Sequence, residues 1–314
     1  MTVLGFDTSN YTTSMAAFDG VSGENQSSLL PVPPGELGLR QSDALFFHVK
    51  GLPELAGRLF SHVDGNDVRA VGVSTRPRAV EGSYMPCFLA GVCLAETVAA
   101  LRRVPLVQVS HQQGHLAAAA WSAGRLDLLD RPFLAWHLSG GTTELLHVAP
   151  QGWNLACTRI GGTTDISAGQ LIDRTGRLLG LPFPSGKELD RLSRDGGQPE
   201  GFRVRCPELE FCLSGVQNQV EQFFARTESR EKTAAFALAS VCQAVLAATR
   251  HAVSRYPGLP VVFSGGVASN SMLRERMAQF RPVFCPPQYA TDNAMGVAVL
   301  AWRSLEEANG AADL

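Results

Sequence analysis

The stretch PFLAWHLSGGTTELLHVAP, residues 132 to 150, is an apolar run, a turn of Ser, Gly and Thr, and a second apolar run. That is the pattern of a β-hairpin. The same arrangement opens the chain as VLGFDTSNYTTSMAAF, residues 3 to 18, with Asp7, Thr8 and Ser9 leading into the turn. Two such units predict an internal duplication, one unit opening each half. A third stretch, LPVVFSGGVASNSMLRERM, residues 259 to 277, reads as a buried β-branched strand, a Gly-Gly turn and a helix starting near Asn270. Helical apolar spacing over 85–102, 168–180, 231–254 and 293–307 alternates with these strands. The fold class is therefore α/β.

At 314 residues the chain exceeds the usual span of one core, which predicts two lobes with room for a cleft between them. We divide it at residues 1–130 and 131–314. With 45% hydrophobic and 18% charged residues the composition is that of an ordinary globular protein. The most apolar window, residues 87 to 107, is interrupted by Glu96, Arg102, Arg103 and Pro105, short of the roughly 20 residues of a bilayer crossing. No membrane partner is expected, and the N-terminus lacks the features of a secretory signal, which predicts a cytoplasmic location. The 7 cysteines are scattered without a CxxC pair, so most are expected to be small buried hydrophobes. A net charge of −2 gives no global field for nucleic acid; such a partner needs a local patch or a helper protein.

Three turns rich in glycine and hydroxyl groups are more specific together than singly. LSGGTTE (138–144) and FSGGVASN (263–270) both follow apolar strands, and the first turn carries Asp7. Two such turns facing one another offer backbone N–H groups to a polyphosphate, Gly265 and Gly266 among them, while a third cradles the nucleoside. This is the logic of the two-lobed actin, hexokinase and Hsp70 architecture with a central cleft.

The stretch VSHQQGHLAAAAW, residues 109 to 121, places two of the 7 histidines four apart after a strand-like run. On a helix, His111 and His115 share a face and can present two imidazole nitrogens to one cation. The alternative is that one caps the helix and the other is a satisfied core or surface histidine. Asp292, in QYATDNAMGVAVLAW, is a third candidate ligand, or else the N-cap of the apolar helix that follows it.

These residues carry a resemblance to the TsaD family, the tRNA N6-adenosine threonylcarbamoyltransferases once named O-sialoglycoprotein endopeptidases or glycoproteases. VLGFDTSNYTTS resembles the family's LGIETSCDET, VSHQQGHL its HHxEGH, and LSGGTTEL its SGGHTxL. GGTTDISAGQLIDRTGRLLGLPFPSG resembles GETxDDAAGEAFDKxAxLLGLxYPGG. LSGV, SGGVASN and TDNAMG resemble FSGLK, GGVAAN and TDNAAM. The matches are in order along nearly the whole chain.

The resemblance implies that His111, His115 and Asp292 are the protein ligands of one divalent metal, iron or zinc. It implies substrate or nucleotide contacts at Leu138, Ser139, Gly140, Gly141, Thr142, Asp173, Gly186 and Asn270. Asp7 and Thr12 of the first turn are the candidate catalytic residues. The chemistry implied is transfer of a threonylcarbamoyl group from threonylcarbamoyl-AMP, with ATP or an adenylate as the substrate-side ligand, to adenosine 37 of tRNA. Partners implied are the tRNA, held with the help of other proteins, and TsaB-like and TsaE-like proteins.

Departures fall inside the motifs. The family's Asp-Glu pair is Tyr11-Thr12 here, its Gly-His-Thr is Gly141-Thr142-Thr143, its helix acid is Gln170, and its TAGPG turn is STRPR, with Arg76 and Arg78. Either the surface has drifted, or the cleft is more positive by several charges and suits a paralogue with a more anionic substrate. Two other functions stay open: an ATP-dependent kinase or phosphatase of small metabolites on the same scaffold, and a non-catalytic partner subunit. A peptidase is disfavoured, since HxxxH lacks the Glu of a zincin. The Gly-, Pro- and charge-rich segment 180–215 is expected to be an exposed excursion. Over about 170–215, Arg174, Arg177, Lys187, Arg191, Arg194, Arg203 and Arg205 outnumber Glu188, Asp190, Asp195 and Glu200. That excess is either a solvated face or a tRNA contact.

Overall fold

The computed structural model describes residues 1–9, 11–33, 38–197, 199 and 201–312. Asn10 of the first turn and Glu200 of the charged segment lie outside the described residues.

The chain opens as an antiparallel meander of β1 (Thr2–Ser9), β2 (Thr12–Phe18) and β3 (Gly23–Leu29), with Asp7 opposite Ser14 and Ser9 opposite Thr12. Helix α1 (Gln41–Phe60) leads to β4 (Val68–Arg76), which pairs parallel with β1. Helix α2 (Phe88–Arg102) then leads to β5 (Leu106–Ser110), parallel to β4, and the sheet order is β3-β2-β1-β4-β5. Helix α3 (His111–Ser122) follows without a break.

The second half repeats this plan. Strands β6 (Phe133–Leu138), β7 (Thr143–Gln151) and β8 (Asn154–Thr163) form the meander. Helices α4 (Ala168–Leu178) and α5 (Gly186–Ser193) precede a short strand β9 (Glu210–Phe211), which pairs with β8. Helices α6 (Ser214–Thr227) and α7 (Arg230–Arg255) lead to β10 (Val261–Ser264), parallel to β6. After α8 (Ser271–Met277), β11 (Val283–Phe284) completes the order β11-β10-β6-β7-β8-β9. Apart from β9, the two sheets have one topology. The recurrence of two hairpins in the sequence is thus the trace of a duplicated sheet.

Central strands β1 and β6 are buried along almost their whole length, which suits their apolar runs and requires cover on both faces. Helices α1 and α2 cover one face of the first sheet, and α7 covers one face of the second. Between the sheets lie α3 and α10 (Met295–Ala312), joined to both by one continuous apolar layer that includes Val3, Leu116, Phe133 and Leu300. Helix α10, last in the chain, packs on β1 and β4 of the first sheet. It crosses α3 at a pair of glycines: a Cβ on Gly296 would collide with the carbonyl oxygen of Gly114. By length and composition α7 is apolar enough to cross a membrane, but 72% of its apolar window is buried within the protein.

The helices expected at 85–102, 168–180, 231–254 and 293–307 are α2, α4, α7 and α10. Segment 180–215 is not simply an exposed excursion. It contains α5 and β9, and it buries Leu189, Leu209, Phe211 and Leu213; the last three alternate with the exposed Glu210 and Cys212, so one side of this short extended segment joins the core. Only Cys87, Cys242 and Cys285 are buried, while Cys157 and Cys206 are partly buried and Cys93 and Cys212 are exposed.

Candidate metal centre and substrate cleft

Strand β5 runs directly into α3 because Ser110 closes a reciprocal cap. Its hydroxyl accepts from the Gln113 amide at 3.3 Å, and Gln113 Oε1 accepts from the Ser110 amide at 2.8 Å. The cap fixes the first turn, so His111 and His115 stand one above the other with their Nε2 atoms 2.9 Å apart. Asp292 comes from the turn before α10. Asn293, not Asp292, takes the capping role there, accepting from the Met295 amide at 3.1 Å. That releases Asp292, whose Oδ1 lies 3.2 Å from His115 Nε2 and 3.4 Å from His111 Nε2. One donor atom from each of the three residues lies within 4.8 Å of the others, close enough for one ion.

Asp7, at the end of β1, supports this group from behind. His111 Nδ1 donates to Asp7 Oδ2 at 2.8 Å, while Asp7 Oδ1 accepts from the Ser9 amide at 3.0 Å. The ring is thereby oriented with Nε2 toward His115 and Asp292. Burial opposes charge on His111, but Asp7 and Asp292 outweigh it and raise its pKa to about 10. Burial likewise opposes charge on Asp292, yet hydrogen bonds and charge from the two histidines hold its carboxyl well below the usual range. For His115, burial and then the neighbouring His111 push the pKa down. The proton of the group therefore resides on His111, between two carboxylates.

His137 was not singled out from the sequence. It interrupts the apolar strand FLAWHL, and that interruption was the available signal. Its ring centroid lies 4.8 Å from that of His115 and 6.5 Å from that of His111. Nδ1 is buried without a hydrogen-bond partner among the described residues. Burial, then His115 and His111, push its pKa well down.

The turn at 138–142 is closed by the Ser139 amide donating to the Thr142 carbonyl at 2.9 Å and the Thr142 amide to Ser139 Oγ at 3.2 Å. Leu138 is fully buried, its backbone covered by Gly265, so the contact implied for it is not open to solvent. Gly140 and Gly141 border open space, and their amides have no acceptor among the described residues. The N-terminus of α4 braces the turn: Ser167 Oγ donates to the Gly140 carbonyl at 2.6 Å and the Ala168 amide to Thr143 Oγ1 at 2.8 Å. Gly265, at φ +88°, lies against the backbone of Leu138, where a side chain would neither fit nor tolerate the conformation. A Cβ on Gly266 would meet Thr291 Cγ2 at 3.8 Å. Both glycine turns and the Asp292 turn thus meet at one place.

Asp173, Gly186 and Asn270 form a second group around α5. Asp173 Oδ1 accepts from the Ser185 amide at 2.8 Å, just before Gly186, and burial pushes its carboxyl up against that hydrogen bond. Asn270 caps α8, accepting from the Leu273 amide at 2.9 Å, and donates to Asp190 of α5 at 2.7 Å. Thr12 is buried at the start of β2, opposite Ser9. Among the described residues, no hydrogen bond or ion pair ties Thr12 or the α5 group to the His111 cluster. Gln170 completes a cap with Ser167, its Oε1 accepting from the Ser167 amide at 3.1 Å.

The arginines at the altered turn have separate fates. Arg78 reaches from the loop after β4 to Glu144 on β7 at 2.8 Å and to Thr142 Oγ1 at 3.4 Å. Gln112 of α3 donates to the same carboxylate at 2.9 Å. The expected gain of several positive charges therefore shrinks, since Glu144 compensates Arg78 and Arg76 alone is exposed, opposite Ser110.

A family profile described as TsaD, tRNA N6-adenosine threonylcarbamoyltransferase, matches residues 43–299. The tRNA N6-adenosine threonylcarbamoyltransferase of Streptococcus pneumoniae (strain Taiwan19F-14) is 33% identical over 256 residues, spanning 77% of this chain and 72% of that protein. Among solved structures, full-length HypF in its phosphate- and nucleotide-bound form superposes with a TM-score of 0.62 at 13% identity, over 97% of this chain and 46% of that one. The ROK hexokinase of Thermus thermophilus gives 0.52 at 16% identity, over 98% and 100%. At such identities these two show the fold alone, which is the expected two-lobed actin and hexokinase type. The length and identity of the sequence matches decide the rest: the chain belongs to the TsaD family and is an enzyme of acyl transfer.

Proposed function

We propose that this enzyme transfers a threonylcarbamoyl group from threonylcarbamoyl-AMP to N6 of adenosine 37 in tRNA, with one divalent metal, iron or zinc, held by His111, His115 and Asp292. The observation that carries this reading is the convergence of those three side chains, with His115 and Asp292 177 residues apart in sequence, in a fold that also presents the open amides of Gly140 and Gly141. Two imidazoles, one carboxylate and an orienting second carboxylate are a donor set suited to either metal. When bound, the ion supplies Lewis acidity toward a substrate oxygen.

The chain's own residues do the remaining work. The amides of Gly140 and Gly141 hold the phosphate of the adenylate, where charge collects as the carbamoyl–phosphate bond breaks and AMP departs. Asp173, with Oδ2 left over from its bond to Ser185, accepts from a ribose hydroxyl. Asp7 fixes the orientation of His111. The amine of adenosine loses one proton as the new C–N bond forms. Proteins resembling TsaB and TsaE complete the system and help to hold the tRNA.

The test is paired. Metal content of the purified protein is measured alongside transfer of labelled threonylcarbamoyl from its adenylate to a tRNA transcript. One equivalent of metal in the wild type, lost together with transfer in His111→Ala and Asp292→Asn, is the expected result. Transfer that persists in the metal-free protein overturns the reading.

A further inference from the structure

Away from the His111 cluster, the second half of the chain carries a cavity of about 670 Å³ between the 201–207 loop, the end of α7 and α8. Its rim holds Arg203, Arg205, Arg250, His251 and Arg276, and among the described residues no acid lines it. Several arginines elsewhere are paired with acids, Arg78 with Glu144, Arg159 with Glu210, Arg194 with Asp190 and Arg303 with Asp130, and the exposed ones that are not, such as Arg76, are not gathered around a cavity. Among the described residues Arg203, Arg205 and Arg250 have no hydrogen-bond or ion-pair partner, and Arg276 makes only a 3.5 Å contact with the Ala239 carbonyl. In a chain of net charge −2 such a concentration of uncompensated guanidinium groups is local. It gathers residues far apart in sequence, which the linear charge pattern does not reveal.

The floor is apolar, formed by Val204, Leu246 and Ala247. Arginine rim and apolar floor together match a nucleotide, phosphates on the rim and base below. The cavity does not end there. A second cleft of about 370 Å³ shares Val204, Arg205 and Pro207 with it and continues toward β9, and its acid, Glu210, is already engaged by Arg159 at 2.8 Å. A continuous track fits a chain of nucleotides better than one small ligand.

We propose that this arginine-lined cavity is an RNA phosphate-backbone site, separate from the glycine turns and the His111 cluster, which positions the nucleic-acid substrate on the outer face of the second sheet. Only the identity of the RNA rests on the function proposed above; the anion site stands on the arginines themselves.

Binding of a fluorescently labelled tRNA transcript is followed by anisotropy from 50 to 200 mM salt, for wild type, Arg203→Gln with Arg205→Gln, and Arg250→Gln with Arg276→Gln. Thermal melting verifies that each variant is folded, and the first pair lies in an exposed loop where folding is least at risk. Each pair is expected to weaken binding about tenfold at 150 mM salt. The slope of log affinity against log salt should become shallower by about 1.4–1.8 per pair, the counterion release of two phosphate contacts. Arg58→Gln, an exposed change on α1 in the other half of the chain, should leave both quantities unchanged. Unchanged RNA affinity and slope in both arginine pairs overturn the proposal. So does loss of AMP or inorganic phosphate binding with RNA binding intact, which identifies a pocket for a free anion. Wild-type protein that binds RNA with its full salt slope yet transfers nothing from the adenylate fails the proposed function alone.

Discussion

Arg78 and Glu144 join the two sheets, with Nη2 of the guanidinium 2.8 Å from one carboxylate oxygen and Nε 3.1 Å from the other. The arginine belongs to the loop after β4, the acid to β7, and between them they cover Thr142 of the glycine turn. A residue whose sequence position suggested surplus positive charge is instead a neutralised strut beside the glycine turn.

That pairing predicts opposite effects for its two members. Glu144→Gln frees the Arg78 charge and should tighten AMP binding about three- to tenfold, whereas Arg78→Gly should weaken it by a similar factor, both read by titration calorimetry. Because Arg78 is 40% exposed, either change should cost no more than about 1 kcal/mol of stability. Identical AMP affinities in all three proteins would show that Arg78 does not face the ligand.

Metal affinity should depend on pH through His111. Its pKa of about 10 means that a ligand nitrogen must give up a proton on metal binding. Between pH 6 and 9 apparent affinity for zinc should therefore rise about tenfold per pH unit, with close to one proton released. Asp7→Asn should lower affinity 10–100-fold, the usual effect of removing a carboxylate behind a ligating histidine, and flatten the pH dependence. Competition with a chromophoric chelator measures both.

Gly296→Ala tests the helix crossing. A methyl group there meets the Gly114 carbonyl, forcing α10 away from α3 and Asp292 away from the histidines. The expected loss is about 1–3 kcal/mol in urea unfolding, the range for overpacked cores, together with lost metal binding. Gly310→Ala, where open space surrounds the site, should change neither.

Asp173 should trade stability for binding. Burial raises its folded pKa, so this acid favours the native state least once it is ionised: stability falls as pH rises from the unfolded pKa through the folded one. Asp173→Asn keeps an oxygen for the Ser185 amide and should stabilise the protein by about 0.5–2 kcal/mol at pH 7, with little gain at pH 4. Adenylate affinity should drop in the same variant. A variant no more stable at pH 7 than wild type would contradict this account.

Much of the fold was legible because its signals are local. The apolar strands around the turns at 9–12 and 138–143, the cap at Ser110 and the helix beginning after Asn270 depend on neighbours within a few residues, so periodicity and turn chemistry reveal them. Segment 180–215 was misread for the converse reason. Leu189 stands alone among charges, and the alternation of Leu209, Phe211 and Leu213 is a strand signal too short to stand out from the Gly, Pro and charge around it.

By itself the sequence determined that two like units would each fold around a glycine turn, and that His111 and His115 would share one side of a helix. Tertiary structure alone decided what those histidines meet. Asp7 and Asp292 lie 104 and 177 residues from their partners, and they arrive because α10 crosses α3 where two glycines let the backbones touch. The same long-range packing set His137 beside His115, Glu144 against Arg78, and four arginines without an acidic partner among the described residues around one cavity. Spacing along a chain encodes local geometry; which surfaces then come into contact depends on how the helices and sheets pack.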